Sequence, residues 1–131
     1  YLYFAARRTI LFREEHSKRV LVPRVEFVSA PGWSPPGVWR RGGPQALLTG
    51  KALYRWQKQA RRFRLASVHP GGSLKEIKEN TGFEFDFPPR VKKTASPAAD
   101  ELALLRGPVR SAIAEIYPEF ARCVWPHRGA A

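Results

Sequence analysis

The chain of 131 residues lacks methionine and contains a single cysteine. That residue, Cys123, excludes an internal disulfide, and no histidine–cysteine spacing matches a zinc site. No apolar run approaches the roughly 18 residues that a membrane-spanning helix requires. Since residue 1 is tyrosine and methionine is absent, we expect a part of a longer protein. One cysteine is compatible with a reducing compartment, and we expect a cytoplasmic location.

Acidic residues are also scarce, so that the chain carries a net charge of +12. The excess lies in residues 1–68, which hold 14 lysines and arginines against 3 acidic residues, whereas residues 69–131 hold 9 against 8. Within the basic half, residues 52–66 interleave three aromatic side chains with five cations. Aromatic rings among cations often hold single-stranded nucleic acid. A basic nucleic-acid-binding module is therefore one functional hypothesis.

The same stretch also fits a β-hairpin. Period-two alternation places Ala52, Tyr54 and Trp56 on one face, and Phe63 and Leu65 continue that face on the return strand. The polar residues between them form the turn. Arginines on the solvent face of an edge hairpin keep the sheet from pairing further. Because no known nucleic-acid-binding motif accompanies the charge, we favour the hairpin and keep the nucleic-acid module as the alternative.

Local signals define a short helix in the stretch HPGGSLKEIKENTGFEFD. The Pro-Gly-Gly step predicts a turn, and Ser73 with Glu76 matches a capping box, so a helix should begin at Leu74. It should stop near Thr81, with Gly82 in the left-handed position that follows many helices. The alternating residues after it predict a short, half-buried extended segment.

Further strands and linkers are predicted on either side of these elements. Residues 9–12 are a continuous apolar run, which is typical of a strand buried on both faces of a parallel sheet. Val25 and Phe27 alternate with polar neighbours and predict another strand. Residues 34–44 and 88–97, which contain prolines and charges, predict extended linkers. These elements together predict an α/β fold.

A helical tail is predicted after the second linker. Ser96 can cap a helix with Pro97 at its first position, and this helix should stop at Gly107. Pro108 then starts a further helix that is interrupted at Pro118. The expected order is α/β first and helices afterwards, within one domain.

Candidate catalytic residues are few. Glu14, Glu15 and His16 are consecutive, and a loop could present one carboxylate with the imidazole, although a solvated charged loop explains them better. His69 at a strand end and His127 in the tail do not form a ligand set. The residues alone therefore predict no complete active site and no metal site.

The remaining polar residues add no site. Cys123 lies beside Ala121 and Val124 on a predicted amphipathic helix, where we expect a buried, inert thiol. The serines lack a G-x-S-x-G elbow. The glycine-proline steps lack the lysine and long helix of a phosphate-binding loop.

Three stretches in order carry a family resemblance: ARRTILFREEHSKRVLVPRVEFVSAPGW, GGPQALLTGKALYRW and RRFRLASVHPGGSLKEIKENTGFEFD. They resemble the C-terminal half of the beta subunit of class I coenzyme A transferases, nearest to the glutaconate CoA-transferase and steroid-ring-degradation types. The resemblance covers about residues 5–105, with residues 67–83 its most specific part, and leaves residues 106–131 as a helical tail. The double glycine in VHPGGS and the basic, proline-rich residues 32–44 depart from the family's pattern.

The resemblance implies an open α/β subunit that pairs with a related alpha subunit. In such enzymes a glutamate carboxylate attacks an acyl-CoA thioester, forms an anhydride and becomes a glutamyl-CoA thioester before CoA passes to a second acid. The family's glutamate and glycine-rich loop precede the strand that starts here near Arg8. The resemblance thus implies that neither Glu14 nor Glu15 is the nucleophile, and that this chain alone is inactive. Some relatives in steroid degradation lack the glutamate and open rings hydrolytically, so a CoA-thioester hydrolase is a second alternative.

Overall fold

The computed structural model describes residues 2–125. The chain divides into two compact units, Tyr1–Ala95 and Ser96–Ala131. The first unit is built on a β-sheet with short helices, and the second is helical. This confirms the predicted α/β order followed by helices.

The described residues form the following elements. The first unit contains α1 (Leu2–Ala5), β1 (Arg8–Arg13), β2 (Gly43–Thr49), β3 (Ala52–Gln57), β4 (Arg62–Val68), α2 (Leu74–Asn80) and β5 (Lys92–Lys93). The second unit contains α3 (Ala99–Leu104), a π-helical turn (Leu105–Val109), α4 (Arg110–Ile116) and α5 (Pro118–Val124). No helix among the described residues is long and apolar enough to cross a membrane.

The strands lie in the sheet in chain order, from β1 to β5. β1 is parallel to β2. β3 is antiparallel to both of its neighbours, β2 and β4, and β5 is parallel to β4. A parallel pair requires a long crossover, and residues 14–42 provide one without a helix or strand of their own. The strand predicted at Val25 and Phe27 is therefore wrong. Both side chains are exposed and have no neighbouring strand in the described residues.

The hairpin prediction is confirmed by β3 and β4. Trp56 is paired with Phe63, and Tyr54 with Leu65. Tyr54 and Leu65 are completely buried, while Arg55 on the opposite face is exposed. The hairpin is not an edge, however, because β2 pairs with β3. The sequence analysis did not identify β2, although β3 follows it after two residues and pairs with it as a hairpin.

The core of the first unit lies on one face of this sheet, below α2. Its buried apolar members are Leu21, Leu47, Ala52, Tyr54, Leu65, Val68 and Ile77. Phe63, Phe83 and Phe85 pack against them at the margin. Burying one such large side chain contributes roughly 1.5–3 kcal/mol. Ile77, fully buried on α2, therefore ties the helix to the sheet.

α2 begins at Leu74 and ends at Asn80, close to both predicted bounds. The Ser73 hydroxyl accepts a hydrogen bond from the Glu76 backbone N–H at 3.2 Å, as a helix cap should. The predicted left-handed Gly82 is wrong, because Gly82 has no positive φ. Its N–H donates to the Leu21 carbonyl at 2.7 Å, and a Cβ there would collide with that oxygen. Glycine is needed for close backbone approach.

The prediction that β1 is buried on both faces is also wrong. Ile10 and Phe12 are 61% and 64% exposed. β1 is an edge strand that pairs only with β2 among the described residues. Its parallel pairing agrees with the prediction. An apolar edge strand therefore lacks cover within the described residues of the first unit.

The linker predictions need smaller corrections. Gly43 and Pro44 begin β2, and Lys92 and Lys93 form β5 beside Ser67 and Val68. The segment after α2 is extended as predicted, with one bridge that joins Asp86 to Arg64. Strand pairing at these places depends on a distant partner, which a local pattern does not reveal.

The helical unit corrects the predicted helix limits. α3 is capped at Ala98 rather than Ser96. The predicted stop at Gly107 is wrong, because a π-helical turn carries the chain through Gly107 and Pro108 into α4. The break at Pro118 is confirmed, since α5 begins there. Cys123 is exposed on α5, so the predicted buried thiol is wrong.

Candidate functional site

A basic cleft lies between the start of β1, the loop that precedes β2 and the tip of the β3–β4 hairpin. Its volume is about 600 Å³. Six cationic side chains line it, and no carboxylate does: Arg7, Arg8, Arg40, Arg41, Lys58 and Arg61. Trp33 and Trp56 contribute aromatic walls. We refer to this region as the basic cleft.

Arg40 is the most firmly held of these cations. Its Nε donates to the Ser34 hydroxyl at 3.0 Å, and its Nη2 donates to the Pro31 carbonyl. The guanidinium carbon lies 4.5 Å from the ring centre of Phe4, a cation–π distance. Its Nη1 is buried and has no hydrogen-bond partner among the described residues. The side chain is thus fixed by its contacts with the loop and with α1.

The hairpin tip supplies the opposite side of the basic cleft. Arg61 adopts φ 51, which makes it the one non-glycine residue with positive φ in the described part of the chain. Its guanidinium carbon lies 3.9 Å from the ring centre of Trp33. Trp56 packs edge-to-face on Phe63, with ring centres 5.0 Å apart. The aromatic and cationic groups are therefore held by contacts on both strands of the hairpin.

Backbone packing at the cleft floor explains its glycines. A Cβ at Gly42 would overlap the Arg7 carbonyl, and a Cβ at Gly32 would lie 3.2 Å from Pro44 Cγ. The Arg41 N–H donates to the Phe4 carbonyl at 3.0 Å. These contacts bring α1 and the loop before β2 together.

A buried polar network lies on the other side of the first unit. His16 is 6% exposed, so the predicted solvated loop is wrong at this residue. Its Nδ1 lies 2.8 Å from the Thr49 hydroxyl, and its Nε2 lies 3.1 Å from the Thr81 hydroxyl. Thr81 donates to the Ile77 carbonyl at 2.7 Å and therefore accepts from the Tyr54 hydroxyl at 3.0 Å. Neutral His16 with its proton on Nε2 satisfies this arrangement.

His69 joins the same network through the other side of Thr49. Its Nε2 donates to the Thr49 carbonyl at 3.0 Å. Its Nδ1 then accepts from the Thr94 hydroxyl at 2.7 Å, and Thr94 lies 2.7 Å from the Ser67 hydroxyl. The network therefore links the β2–β3 turn to the segment around β5.

Burial determines the ionisation of the network. It lowers the pKa of His16 below its usual 6.5, and the charge of Lys51 lowers that pKa further. Burial also raises the pKa of Tyr54 to about 12, although the hydrogen bond with Thr81 acts in the opposite direction. Both side chains are therefore neutral near pH 7. A neutral, hydrogen-bonded network of this kind stabilises the packing of the segments that it connects, and it does not donate protons to solvent.

A smaller cleft of about 240 Å³ lies above this network, beside Lys51 and Glu76. The two side chains form an ion pair at the surface, and the hydrogen bond from Lys51 lowers the pKa of Glu76. Gly71 lines the cleft with φ 86, a conformation that favours glycine. This backbone conformation explains the glycine in the predicted Pro-Gly-Gly turn.

The structure separates the candidate catalytic residues. Glu14 and Glu15 are exposed, and Glu15 is hydrogen-bonded to Arg19 and Ser17, with Arg19 the main cause of its lowered pKa. His16 points into the core instead. His127 lies outside the described residues. Among the described residues no group of three or more histidine, cysteine, aspartate or glutamate side chains could hold a metal ion.

Sequence reasoning missed two features of the site. It treated Arg40 and Arg41 as part of a linker, although the density of positive charge there was a usable signal. It also treated the histidines as unrelated, whereas His16 and His69 are both hydrogen-bonded to Thr49. Thr49 lies 33 residues from His16 and 20 residues from His69 in the sequence. Only the fold brings such distant residues together.

The structure does not contain the exposed aromatic platform that the nucleic-acid hypothesis requires on the β3–β4 hairpin. Tyr54 is completely buried, and Phe63 and Trp56 pack in the aromatic cluster below the hairpin. Stacking of successive bases requires exposed rings between the cations. The arrangement is instead that of a packed sheet.

Comparison with curated proteins gives two relatives. The chain is 33% identical over 92 residues to the B subunit of glutaconate CoA-transferase from Acidaminococcus fermentans, a match that covers 65% of this chain and 35% of that protein. It is 30% identical over 105 residues to the B subunit of 3-oxoadipate CoA-transferase from Pseudomonas knackmussii, a match that covers 76% of this chain and 40% of that protein. Comparison with protein-family profiles gives no match.

Solved structures share the fold. Glutaconate coenzyme A-transferase from Acidaminococcus fermentans matches with a TM-score of 0.65 and 28% identity over 77% of this chain and 41% of that chain. Rhodococcus jostii RHA1 IpdAB matches with a TM-score of 0.69 and 25% identity over 76% and 42%. The decarboxylase AibA/AibB matches with a TM-score of 0.56 and 26% identity over 76% and 37%.

The chain thus spans about two fifths of the length of the curated relatives it matches. Both relatives are B subunits of CoA-transferases, and the matching structures contain the same kind of sheet with helices. In sequence and fold the chain is therefore similar to the beta subunits of class I coenzyme A transferases.

Proposed function

We propose that this chain is the C-terminal half of a CoA-transferase beta subunit. The whole enzyme transfers coenzyme A between an acyl-CoA and a carboxylic acid, and its glutamyl-CoA intermediate forms on a glutamate outside this chain. The observation that carries the proposal is the 33% identity to a glutaconate CoA-transferase polypeptide over 35% of that polypeptide's length. The role of this chain is to supply sheet scaffold and part of the substrate-binding surface.

The uncovered edge of the sheet supports the idea that more protein packs here. Ile10 and Phe12 on β1 are more than half exposed, and the unpaired edge of β1 offers backbone groups to another strand. Exposed apolar edge strands are uncommon in isolated domains because they promote aggregation. The rest of the beta subunit is the occupant that the family membership favours.

The partner of the whole subunit is a related alpha subunit. Both curated relatives are named as B subunits, which supports a hetero-oligomer. We further propose a cytoplasmic location, where acyl-CoA and free carboxylic acids are both available. No membrane partner is part of the proposal.

The carboxylates of this chain do not suit covalent catalysis. The nucleophile must attack the thioester carbonyl, leave the released CoA bound nearby and then accept its sulfur. Glu14 and Glu15 are exposed on an irregular loop, and Glu15 is paired with Arg19. A paired, solvated carboxylate lacks the enclosure that holds both reactants in place.

A second candidate reaction has its own support. The sheet also matches the decarboxylase AibA/AibB, with a TM-score of 0.56. Because the same scaffold occurs in a decarboxylase, fold alone does not fix the reaction. A whole enzyme that lacks the glutamate would be a CoA-thioester hydrolase or lyase rather than a transferase.

Trapping the intermediate tests the proposal. The whole beta subunit, assembled with its alpha subunit, is incubated with an acyl-CoA and treated with borohydride, which reduces a glutamyl thioester but not a free carboxylate. Peptide mass mapping should place the reduced glutamate outside the 131 residues of this chain. Glu14→Gln and Glu15→Gln should give the same trapped peptide as the wild type. Reduction at Glu14 or Glu15 would refute the proposed location of the nucleophile.

A further inference from the structure

The second unit has almost no core of its own. Among residues 96–125, Ala121 alone is buried. Neither α3, nor the π-helical turn, nor α4 contains a buried residue. Helices shorter than about 12 residues are marginal by themselves, and most of their stability in proteins comes from packing of an apolar face. These helices therefore need a surface that packs against them.

An exposed apolar surface follows these helices. Leu105 and Val109 are four residues apart, and Ile116 follows Val109 by seven, so the three side chains lie on one face. Phe120 and Val124 repeat the four-residue spacing on α5. Together with Tyr117, these side chains are between 39% and 69% exposed. We refer to the six as the tail surface: Leu105, Val109, Ile116, Tyr117, Phe120 and Val124.

Polar side chains occupy the other side of the same helices. Ser111 lies two positions after Val109, and its hydroxyl donates to the Gly107 carbonyl at 3.2 Å. On α5, Glu119 and Arg122 form an ion pair at the surface. Residues one or two positions apart do not face the same side of a helix. The second unit is therefore amphipathic, and its apolar side is exposed.

The area of the tail surface suits a protein interface. A large side chain presents roughly 150–250 Å² when it is fully exposed, so six side chains that are each about half exposed present on the order of 600 Å². A standard interface buries about 800 Å² on each partner, and about two thirds of that area is apolar in homodimers. The tail surface thus has the apolar area that one side of a homodimer needs.

The charge of the second unit favours a partner of the same kind. Residues 96–131 hold four arginines and four acidic residues, whereas residues 1–95 hold 19 lysines and arginines against 7 acidic residues. The whole excess of +12 therefore lies in the first unit. Two neutral tails can approach each other without the repulsion that two strongly basic first units experience.

We propose that the tail surface of one copy packs against the tail surface of a second copy, which makes a symmetric dimer. A two-fold interface pairs one patch with the same patch on the partner, so that a single apolar surface is sufficient. The matches to solved structures cover no more than 77% of this chain, and the family resemblance leaves residues 106–131 as a tail. This dimer therefore goes beyond the proposed reaction and does not depend on it.

A membrane surface fits the second unit less well. Helices that lie on membranes are usually rich in lysine and arginine on their polar side, which attracts anionic headgroups. Here Glu115 and Glu119 lie among the arginines, and the unit has no net charge. Electrostatic attraction to such a surface is therefore absent from this part of the chain.

Sedimentation velocity of the 131-residue chain over a range of concentrations tests the inference. We expect a reversible equilibrium between monomer and dimer. Ile116→Gln with Phe120→Gln removes two large apolar groups and should raise the dissociation constant of the dimer about tenfold or more. Higher salt should tighten the wild-type dimer, because it screens the repulsion between the basic first units.

A matched control removes the same two residue types from β1. Ile10 and Phe12 are 61% and 64% exposed, and Ile10→Gln with Phe12→Gln should leave the dissociation constant within twofold of the wild type. A second tail variant, Ile116→Leu with Phe120→Leu, keeps the surface apolar and should retain the dimer. Equal circular dichroism of all chains at concentrations where the wild type is monomeric establishes that each variant is folded.

Four outcomes would overturn the inference. A chain that stays monomeric at every concentration has no such interface. Equal weakening by the tail and β1 variants would place the contact elsewhere or make it nonspecific, and weakening of the dimer by salt would show that charge drives it. Binding of the monomeric chain to vesicles of phosphatidylcholine and phosphatidylglycerol that is lost in Ile116→Gln with Phe120→Gln would identify a membrane as the occupant of the tail surface.

Discussion

His16 shows how a single side chain can be misplaced by its neighbours in sequence. Two glutamates precede it, and three adjacent polar residues predict a solvated loop. The fold turns only His16 inward, where Thr49 and Thr81 satisfy both ring nitrogens. These partners lie 33 and 65 residues away, so no local pattern identifies them. A buried, paired histidine is a residue-scale feature that only tertiary structure reveals.

The lowered pKa of His16 predicts a dependence of stability on pH. Because the unfolded chain binds a proton to this histidine more readily than the folded chain, its contribution is fully present above pH 6.5 and is lost as the pH falls below that value. Urea unfolding at pH 8 and at pH 5 should show a lower free energy of unfolding at pH 5. His16→Gln, which cannot titrate, should reduce that difference.

Lys75→Gln, an exposed change on α2, is the control for this series and should retain the wild-type difference. Glu15 and Glu76 have pKa values below 4.5, so their contributions are lost only in more acidic solutions. A pH dependence between 8 and 5 that is unchanged in His16→Gln would contradict the buried, neutral histidine.

At the scale of elements, local signals predicted the hairpin and the start of α2 well. The alternation in β3 and β4 and the Ser73 cap depend on neighbours within a few residues. β5 was missed because its strand character comes from pairing with the remote β4. β2 forms a hairpin with the adjacent β3, and it was missed because its first residues were predicted as part of a linker. Gly107 and Pro108 predicted a stop, yet a π-helical turn carries the chain past them. Such a turn accommodates the missing proline N–H without ending the helix.

At Gly82, after α2, substitution can test why glycine is required. A side chain there would collide with the Leu21 carbonyl and would lie 2.9 Å from Pro23 Cδ. Gly82→Ala and Gly82→Asn should each lower the free energy of unfolding by about 1–3 kcal/mol, since both overfill the contact. Denaturant unfolding of the purified variants measures the effect.

Gly71 provides the contrast, because it has φ 86 and no atom within 4 Å of an added Cβ. Asparagine tolerates positive φ better than most residues, so Gly71→Asn should cost less stability than either change at Gly82. Much better tolerance of asparagine than of alanine at Gly82 would indicate a left-handed helix end after all. That result would contradict the close approach of Gly82 to Leu21.

At the scale of the whole molecule, the family was evident from the order of three sequence stretches, whereas the sheet edge was not. The resemblance correctly indicated CoA-transferase beta subunits, and the curated relatives confirm it. The exposure of β1 could not be predicted, because an apolar run implies burial without identifying what buries it. The basic cleft likewise required the loop before β2 and the hairpin tip to meet.

The reaction of the assembled enzyme tests the central claim most directly. The whole beta subunit with its alpha subunit is incubated with an acyl-CoA and an isotopically labelled carboxylic acid, and the products are separated. The isolated 131-residue chain is the control and should show no turnover, because the proposed nucleophile lies outside it. If the enzyme is a transferase, the amount of labelled acyl-CoA formed should equal the amount of unlabelled carboxylic acid released. Release of free CoA without labelled thioester, or release of carbon dioxide, would contradict the account and indicate a hydrolase or a decarboxylase.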